Sequence, residues 1–222
     1  MPQNIQELSE EQVGTAPSTG RLEAFSDGVF AIAITILILE LGVPNLPKAL
    51  PKELIAQELG RKLLELWPGK LVAYMLSFVV IGTYWVSHHM VFHHIQRSNR
   101  TLLWLNILFL LCVSFIPFPT ALLGHYFEQQ IAVIIYAASL GFTSLIGQAL
   151  WVYASHDRRL VNNDISPALV LEISRKNLTG ALIYACAIAT SFVSVPASIG
   201  LLLLAPVLFI LPSRVRKRKG FK

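Results

Sequence analysis

The stretch RLEAFSDGVFAIAITILILEL, residues 21–41, decides how the rest of the chain is read. From Phe25 onward it is a nearly unbroken apolar run of the length a lipid bilayer demands, about 20 residues. Ser26 and Asp27 nevertheless sit inside its first turn. A carboxylate there is costly in hydrocarbon, so Asp27 must find donors on neighbouring elements. On a wheel of about 100° per residue, Thr35, Ile36 and Leu39 fall within roughly 60° of Ile32, while Asp27 lies about 140° away and Ser26 about 120° away on the other side. The polar pair and the Ile32–Leu39 stripe therefore face different neighbours.

The composition points the same way. Of 222 residues, 54% are hydrophobic and only 14% are charged, and the mean hydropathy is +0.59. A water-soluble domain would run out of polar surface first. The chain reads as an all-α integral membrane protein. Six apolar segments stand out, at residues 22–42, 70–92, 101–123, 129–154, 177–196 and 197–213. The last two join at Val195-Pro196-Ala197-Ser198, read as a tight hairpin; one long kinked helix is the alternative and gives five spans. Pro117 and Pro119 kink or end the third span. Asn177-Leu178-Thr179 reads as a helix cap at an inner helix start. Cys112 and Cys186 lie in apolar runs and read as free thiols.

Orientation follows from charge. Six spans with both termini cytoplasmic put 13 of the 18 Lys and Arg inside, the crowded tail Arg214, Arg216, Lys217, Arg218, Lys219 and Lys222 among them. That tail, residues 214–222, suits anionic headgroups better than nucleic acid. Residues 1–20 form a polar, acidic segment with no signal-peptide pattern, so the first span is expected to act as its own insertion signal. Between the first two spans, residues 44–68 carry Leu54, Leu59, Leu63, Leu64 and Trp67 among charges, with Glu58 and Lys62 four apart. This pattern predicts an amphipathic helix on the outer interface or over a pore mouth.

The donors expected for Asp27 are His88 or His89 and Trp85 on the second span and Asn106 on the third, with Arg21 nearby and Gly28 permitting close helix approach. Such a cluster is structural glue, a proton relay, or, since His89 and His93 share a face, part of a metal site lacking an evident third ligand. No phosphate cradle, nucleophile elbow or carbonyl selectivity loop is present in the sequence, which argues against an enzyme.

Arg21-x-x-x-Phe25-Ser26-Asp27-Gly28, followed by Ala31-Ile32 and Thr35, together with TYWVSHH at 83–89, resembles prokaryotic members of the transmembrane protein 175 family of potassium channels. The resemblance extends over residues 21–213, as one six-span channel domain. It implies a homotetramer in the cell membrane with a central pore lined by the first helix and no carbonyl selectivity loop. Ile32 would then form the apolar constriction, Thr35 a ring of hydroxyls where potassium pauses, and Ile36 and Leu39 the continuing wall. Arg21, Phe25, Ser26, Asp27 and Gly28 would pack behind the pore with Trp85, His88, His89 and Asn106. No cofactor is implied beyond the permeant ion. The rival reading is a proton-coupled ion transporter using Asp27 and His88 or His89.

Overall fold

The computed structural model describes residues 19–47, 51–67, 69–162 and 164–210; the basic tail and nearly all of the polar N-terminal segment lie outside the described residues. The chain is built of helices: α1 (Gly20–Ile36, continued by a 3₁₀ turn Leu37–Glu40), α2 (Lys52–Leu64), α3 (Gly69–His94), α4 (Arg100–Phe115), α5 (Pro117–His125), α6 (Gln130–Ser155), α7 (Pro167–Ser191) and α8 (Val195–Ile210). Among the described residues, four helical runs are long and apolar enough to cross a membrane: Gly20–Glu40, Gly69–His94, Arg100–His125 and Gln130–Arg158. α7 has the length, but Glu172, Arg175 and Lys176 interrupt its first half. α8 is apolar but shorter, at 16 residues.

Local chemistry explains the ends. α1 finishes in the tighter 3₁₀ winding, with the Leu41 amide on the Ile38 carbonyl at 3.2 Å. Gly42 follows at φ 59°, a left-handed position that a glycine takes without a Cβ clash. Asn99 caps α4 by accepting from the Leu102 amide at 2.9 Å. α4 and α5 form one kinked run. Pro117 cannot donate to the Val113 carbonyl, which takes the Ile116 amide at 3.1 Å instead.

Two sequence expectations are corrected at α7 and α8. α7 starts at Pro167, with the Ser166 side chain accepting from the Leu169 amide, so Asn177 is mid-helix rather than a cap. A Ser-Pro pair is a sound helix start, because proline's missing N–H has no intrahelical partner in the first turn. The break before α8 falls at residues 192–194, earlier than expected. Pro196 lies in the first turn of α8 and marks its beginning, not the turn itself. α7 and α8 then run antiparallel: Ser198 Oγ donates to the Ala187 carbonyl at 2.6 Å, and a Cβ on Gly180 would lie 2.9 Å from the Phe209 ring.

Lipid tails are as apolar as leucine, so a membrane bundle is held by close packing and interhelical hydrogen bonds rather than by exclusion of apolar groups from water. Both devices occur here. The start of α3 crosses the end of α5 so closely that a Cβ on Gly69 would meet the Gly124 carbonyl oxygen at 2.6 Å. Between α3, α5 and α6, Ser77 Oγ lies 2.8 Å from Tyr136 Oη and 2.7 Å from Thr120 Oγ1. Tyr84 Oη donates to the Leu140 carbonyl at 2.6 Å. A second core, at the end of the bundle where α3 finishes and α4 begins, gathers Phe92, Ile95, Trp151, Leu160 and Val161, with the Gln96 amide on the Leu160 carbonyl at 2.9 Å.

α2 stands apart and buries no residue. Glu58 pairs with Arg61, not with Lys62: Arg61 Nε donates to Glu58 Oε2 at 3.0 Å, and this bond holds the Glu58 carboxyl below its ordinary pKa. Lys62 instead reaches the Asn45 carbonyl.

The crossing at Gly69 gives a direct check. Gly69→Ala should destabilise the detergent-purified protein by about 1–3 kcal/mol in thermal unfolding, the usual overpacking cost. Gly82, with open space around its Cα, is the control: Gly82→Ala should be neutral or gain up to about 1 kcal/mol of helix propensity. Equal melting of the two variants would show that the helices do not meet as described.

Candidate functional site along the first helix

Three faces of α1 do three different things. The first face is buried: Ser26, Phe30, Ala33 and Leu37 recur at helical spacing. Asn106, itself fully buried on α4, makes the decisive contacts with this face. Its Nδ2 donates to Ser26 Oγ at 3.0 Å, and Ser26 Oγ in turn donates to the Leu22 carbonyl at 2.8 Å. Asn106 Oδ1 lies 2.8 Å from His88 Nε2. An amide oxygen only accepts, so Nε2 of His88 carries the proton. The imidazole is stacked on Phe92 at 4.3 Å between centroids and on Phe109 at 5.6 Å, and the edge of Phe30 closes the site at 5.6 Å. Residues from α1, α3 and α4 are thereby joined through one amide.

The second face carries Asp27. Its Oδ1 accepts from Trp85 Nε1 at 2.8 Å, and His89 stacks on the Trp85 ring at 5.9 Å. The single cluster expected from the sequence is thus two. Asp27 and Trp85 form an exposed pair, and Ser26, Asn106 and His88 form a buried chain. The reason is angular: adjacent residues on a helix point about 100° apart, so Ser26 and Asp27 cannot reach the same partners. Arg21, Phe25 and Gly28 are exposed in the protomer. Arg21 makes no ion pair among the described residues. His89 and His93 are both exposed, and no group of three or more His, Cys, Asp or Glu is placed to hold a metal ion among the described residues.

The third face is the apolar stripe. Ile32 is 60% exposed and Leu39 72%, against 1% for Phe30 and 0% for Leu37 on the opposite side. Thr35 and Ile36 lie on the same exposed face. Thr35 Oγ1 is within 2.9 Å of the Ala31 carbonyl and 3.0 Å of the Ile32 carbonyl. Its proton is thus committed to the backbone and its lone pairs remain available outward. In the 3₁₀ segment beyond Ile36, side chains three apart eclipse, so Leu39 is brought into line above Ile36. Sequence reasoning at a uniform helical pitch missed that alignment; no residue at 37–40 announces it.

A family model described as the endosomal/lysosomal potassium channel TMEM175 matches residues 21–117, the segment holding all three faces. The chain is 38% identical over 200 residues to a potassium channel of Chamaesiphon minutus, covering 88% of this chain and 95% of that one. The chain belongs to the TMEM175 channel family. The crystal structure of a lysosomal potassium-selective channel TMEM175 homolog from Chamaesiphon minutus superposes with a TM-score of 0.74 at 37% identity, covering 86% of this chain and 95% of that chain. A mouse relative named as the endosomal/lysosomal proton channel TMEM175 is 33% identical over 143 residues, which span 28% of that longer protein. A TMEM175 member is thus a membrane-embedded cation channel, and the two relatives' names differ in the ion.

The buried amide yields an ordered set of effects. Asn106→Leu leaves His88 Nε2 without its acceptor and removes the donor to Ser26 Oγ, and should cost about 1–3 kcal/mol in unfolding of the purified protein. Ser26→Ala, which leaves the Asn106–His88 bond in place, should cost less. Asp27→Asn keeps an acceptor for Trp85 and should be the mildest of the three. Thermal or denaturant unfolding in detergent measures the order, and a larger loss for Asp27→Asn than for Asn106→Leu would contradict it.

Proposed function

We propose that the protein is a homotetrameric, weakly to moderately potassium-selective cation channel. In this reading each subunit has six spans, both termini are cytoplasmic, and the pore is lined by α1 of every subunit. The observation that carries the reading is the exposed stripe of α1. It lies away from the face that the protomer buries and away from the Asp27–Trp85 pair, and it contains one hydroxyl among bulky aliphatic side chains. Thr35, its proton bonded to its own helix, leaves oxygen lone pairs on that stripe for a pore to use.

The mechanism follows from the side chains. Four Ile32 residues around an axis offer no ligand to a dehydrated ion, so a narrow ring of them dewets and closes the path. Thr35, one turn outward, supplies four oxygens whose lone pairs point away from the helix. Potassium, the more easily dehydrated of the two common alkali cations, pauses there. Ile36 and Leu39 continue the wall. The Ser26–Asn106–His88 chain holds the inner end of α1, so opening is a small rotation or splay of α1 about that pin. The channel needs no cofactor beyond the permeant ion. The basic tail binds anionic headgroups at the cytoplasmic face, and α2 lies on the outer interface.

The rival is proton-coupled transport through Asp27 and His88 or His89. It is weakened by the separation of the two clusters: Asp27 is bonded to Trp85, and His88 is bonded to Asn106.

Potassium flux into liposomes separates the two. Ile32→Asn should raise downhill potassium flux severalfold over wild type, since one amide per subunit wets the ring. Thr35→Val should lower the potassium-over-sodium ratio while flux persists. Saturable, proton-coupled flux that is lost in Asp27→Asn and indifferent to Ile32→Asn would establish the transporter instead.

A further inference from the structure

A concave site of about 320 Å³ opens at the end of the bundle where α6 finishes and α7 begins. Its lining includes Asp157, Arg158 and Ser174 on the polar side and Ile165, Val170 and Leu171 on the apolar side. Neither the buried amide nor the pore stripe contributes a residue to it. The loop that forms it is fixed from both directions. The Asn162 amide is on the His94 carbonyl at 3.3 Å, and the Arg159 guanidinium lies over the Tyr153 ring at 5.0 Å.

Two features single the site out. Asp157 and Arg158 are consecutive non-glycine residues with φ of 51° and 53°, a left-handed conformation that costs an ordinary residue roughly 1–2 kcal/mol. The loop holds both there and both line the cavity. Two of the neighbouring cations are engaged elsewhere, Arg159 on Tyr153 and Lys176 with Glu172 at 3.5 Å. Arg158, by contrast, enters no ion pair among the described residues. Among the described residues, the one ion pair of Asp157 is with His156, at 3.3 Å. An exposed cation and an exposed carboxylate, adjacent in sequence, thus rim one cavity with an apolar wall.

Depth supplies the ligand class. α6 and α7 have 26 and 25 residues, which at about 1.5 Å per residue exceeds the roughly 30 Å hydrocarbon core. The cavity end of α7 also carries Glu172, Arg175 and Lys176, charges that suit the headgroup layer rather than hydrocarbon, and Leu171 is exposed beside the cavity.

The geometry points to a binding site for a zwitterionic phospholipid whose headgroup carries a phosphate and a primary ammonium. Arg158 and Ser174 take the phosphate, Asp157 takes the ammonium, and Ile165, Val170 and Leu171 lie against the glycerol and upper acyl chain. The site is independent of the pore assignment. A purely anionic lipid would meet the Asp157 carboxylate with no cation to pair with it, so the adjacent pair of charges sets the selectivity.

The test uses the full-length purified protein and native mass spectrometry of retained lipid, with phosphatidylethanolamine, phosphatidylglycerol and phosphatidylcholine offered in turn. Arg158→Asn and Asp157→Asn are suitable variants because asparagine tolerates the left-handed conformation. Wild type should retain phosphatidylethanolamine over the other two. Arg158→Asn should bind it about fivefold more weakly, and Asp157→Asn should lose the preference for the amine headgroup. Equal retention by wild type and both variants would overturn the site. Displacement by free phosphoethanolamine at the same concentration as the lipid would overturn the assignment to a lipid.

Discussion

One buried side-chain amide sets the rotation of the first helix. Asn106 has two hydrogen-bonding ends, and both are used: one on Ser26 of α1 and the other on His88 of α3. At membrane depth no water competes for these groups, so a rotation of α1 that broke the bonds would leave donors and acceptors unpaired. Everything else about α1 follows from this fixed azimuth. Phe30, Ala33 and Leu37 point into the protomer, Asp27 points to Trp85, and the Ile32–Leu39 stripe points away from both. The FSDG sequence is economical in this sense. Two adjacent polar residues, nearly two turns into α1, reach two different neighbours.

The remaining bundle uses the same chemistry at other depths. Ser77, Thr120 and Tyr136 link α3, α5 and α6, and Tyr84 ties α3 to α6 through the Leu140 carbonyl. Glycines permit the closest crossings, at Gly69 against Gly124 and at Gly180 against Phe209. These contacts hold α3 to α8 as a scaffold, against which α1 lies by its buried face and by the Asp27–Trp85 bond. Among the four described runs long and apolar enough to cross a membrane, α1 is the least buried.

Much of this was legible in the sequence because hydrophobic runs and a wheel of about 100° per residue carry over into a membrane fold directly. The separation of Ser26 and Asp27 from the Ile32 stripe was one such reading. What was not legible depended on partners far along the chain. Nothing local says that Asn106 prefers Ser26 and His88 to Asp27, or that Tyr136 meets Ser77 across 59 residues. Other misreadings were local. Pro196 read as a turn is a helix start, and Asn177 read as a cap is preceded by Ser166-Pro167, a stronger start signal. The 3₁₀ turn at Leu37–Glu40, which aligns Ile36 and Leu39, has no sequence signature known to us in physical terms.

The central claim is that the stripe of α1 faces an aqueous path while the Asn106 face does not. Cysteine substitutions along residues 29–43, each modified by a membrane-impermeant cationic thiol reagent during potassium flux, test it most directly. The account predicts that modification at Ile32, Thr35, Ile36 and Leu39 blocks flux, and that cysteines at Phe30, Ala33 and Leu37 stay unreactive. Reaction and block following the Phe30–Ala33–Leu37 face, or no periodicity at all, would contradict it.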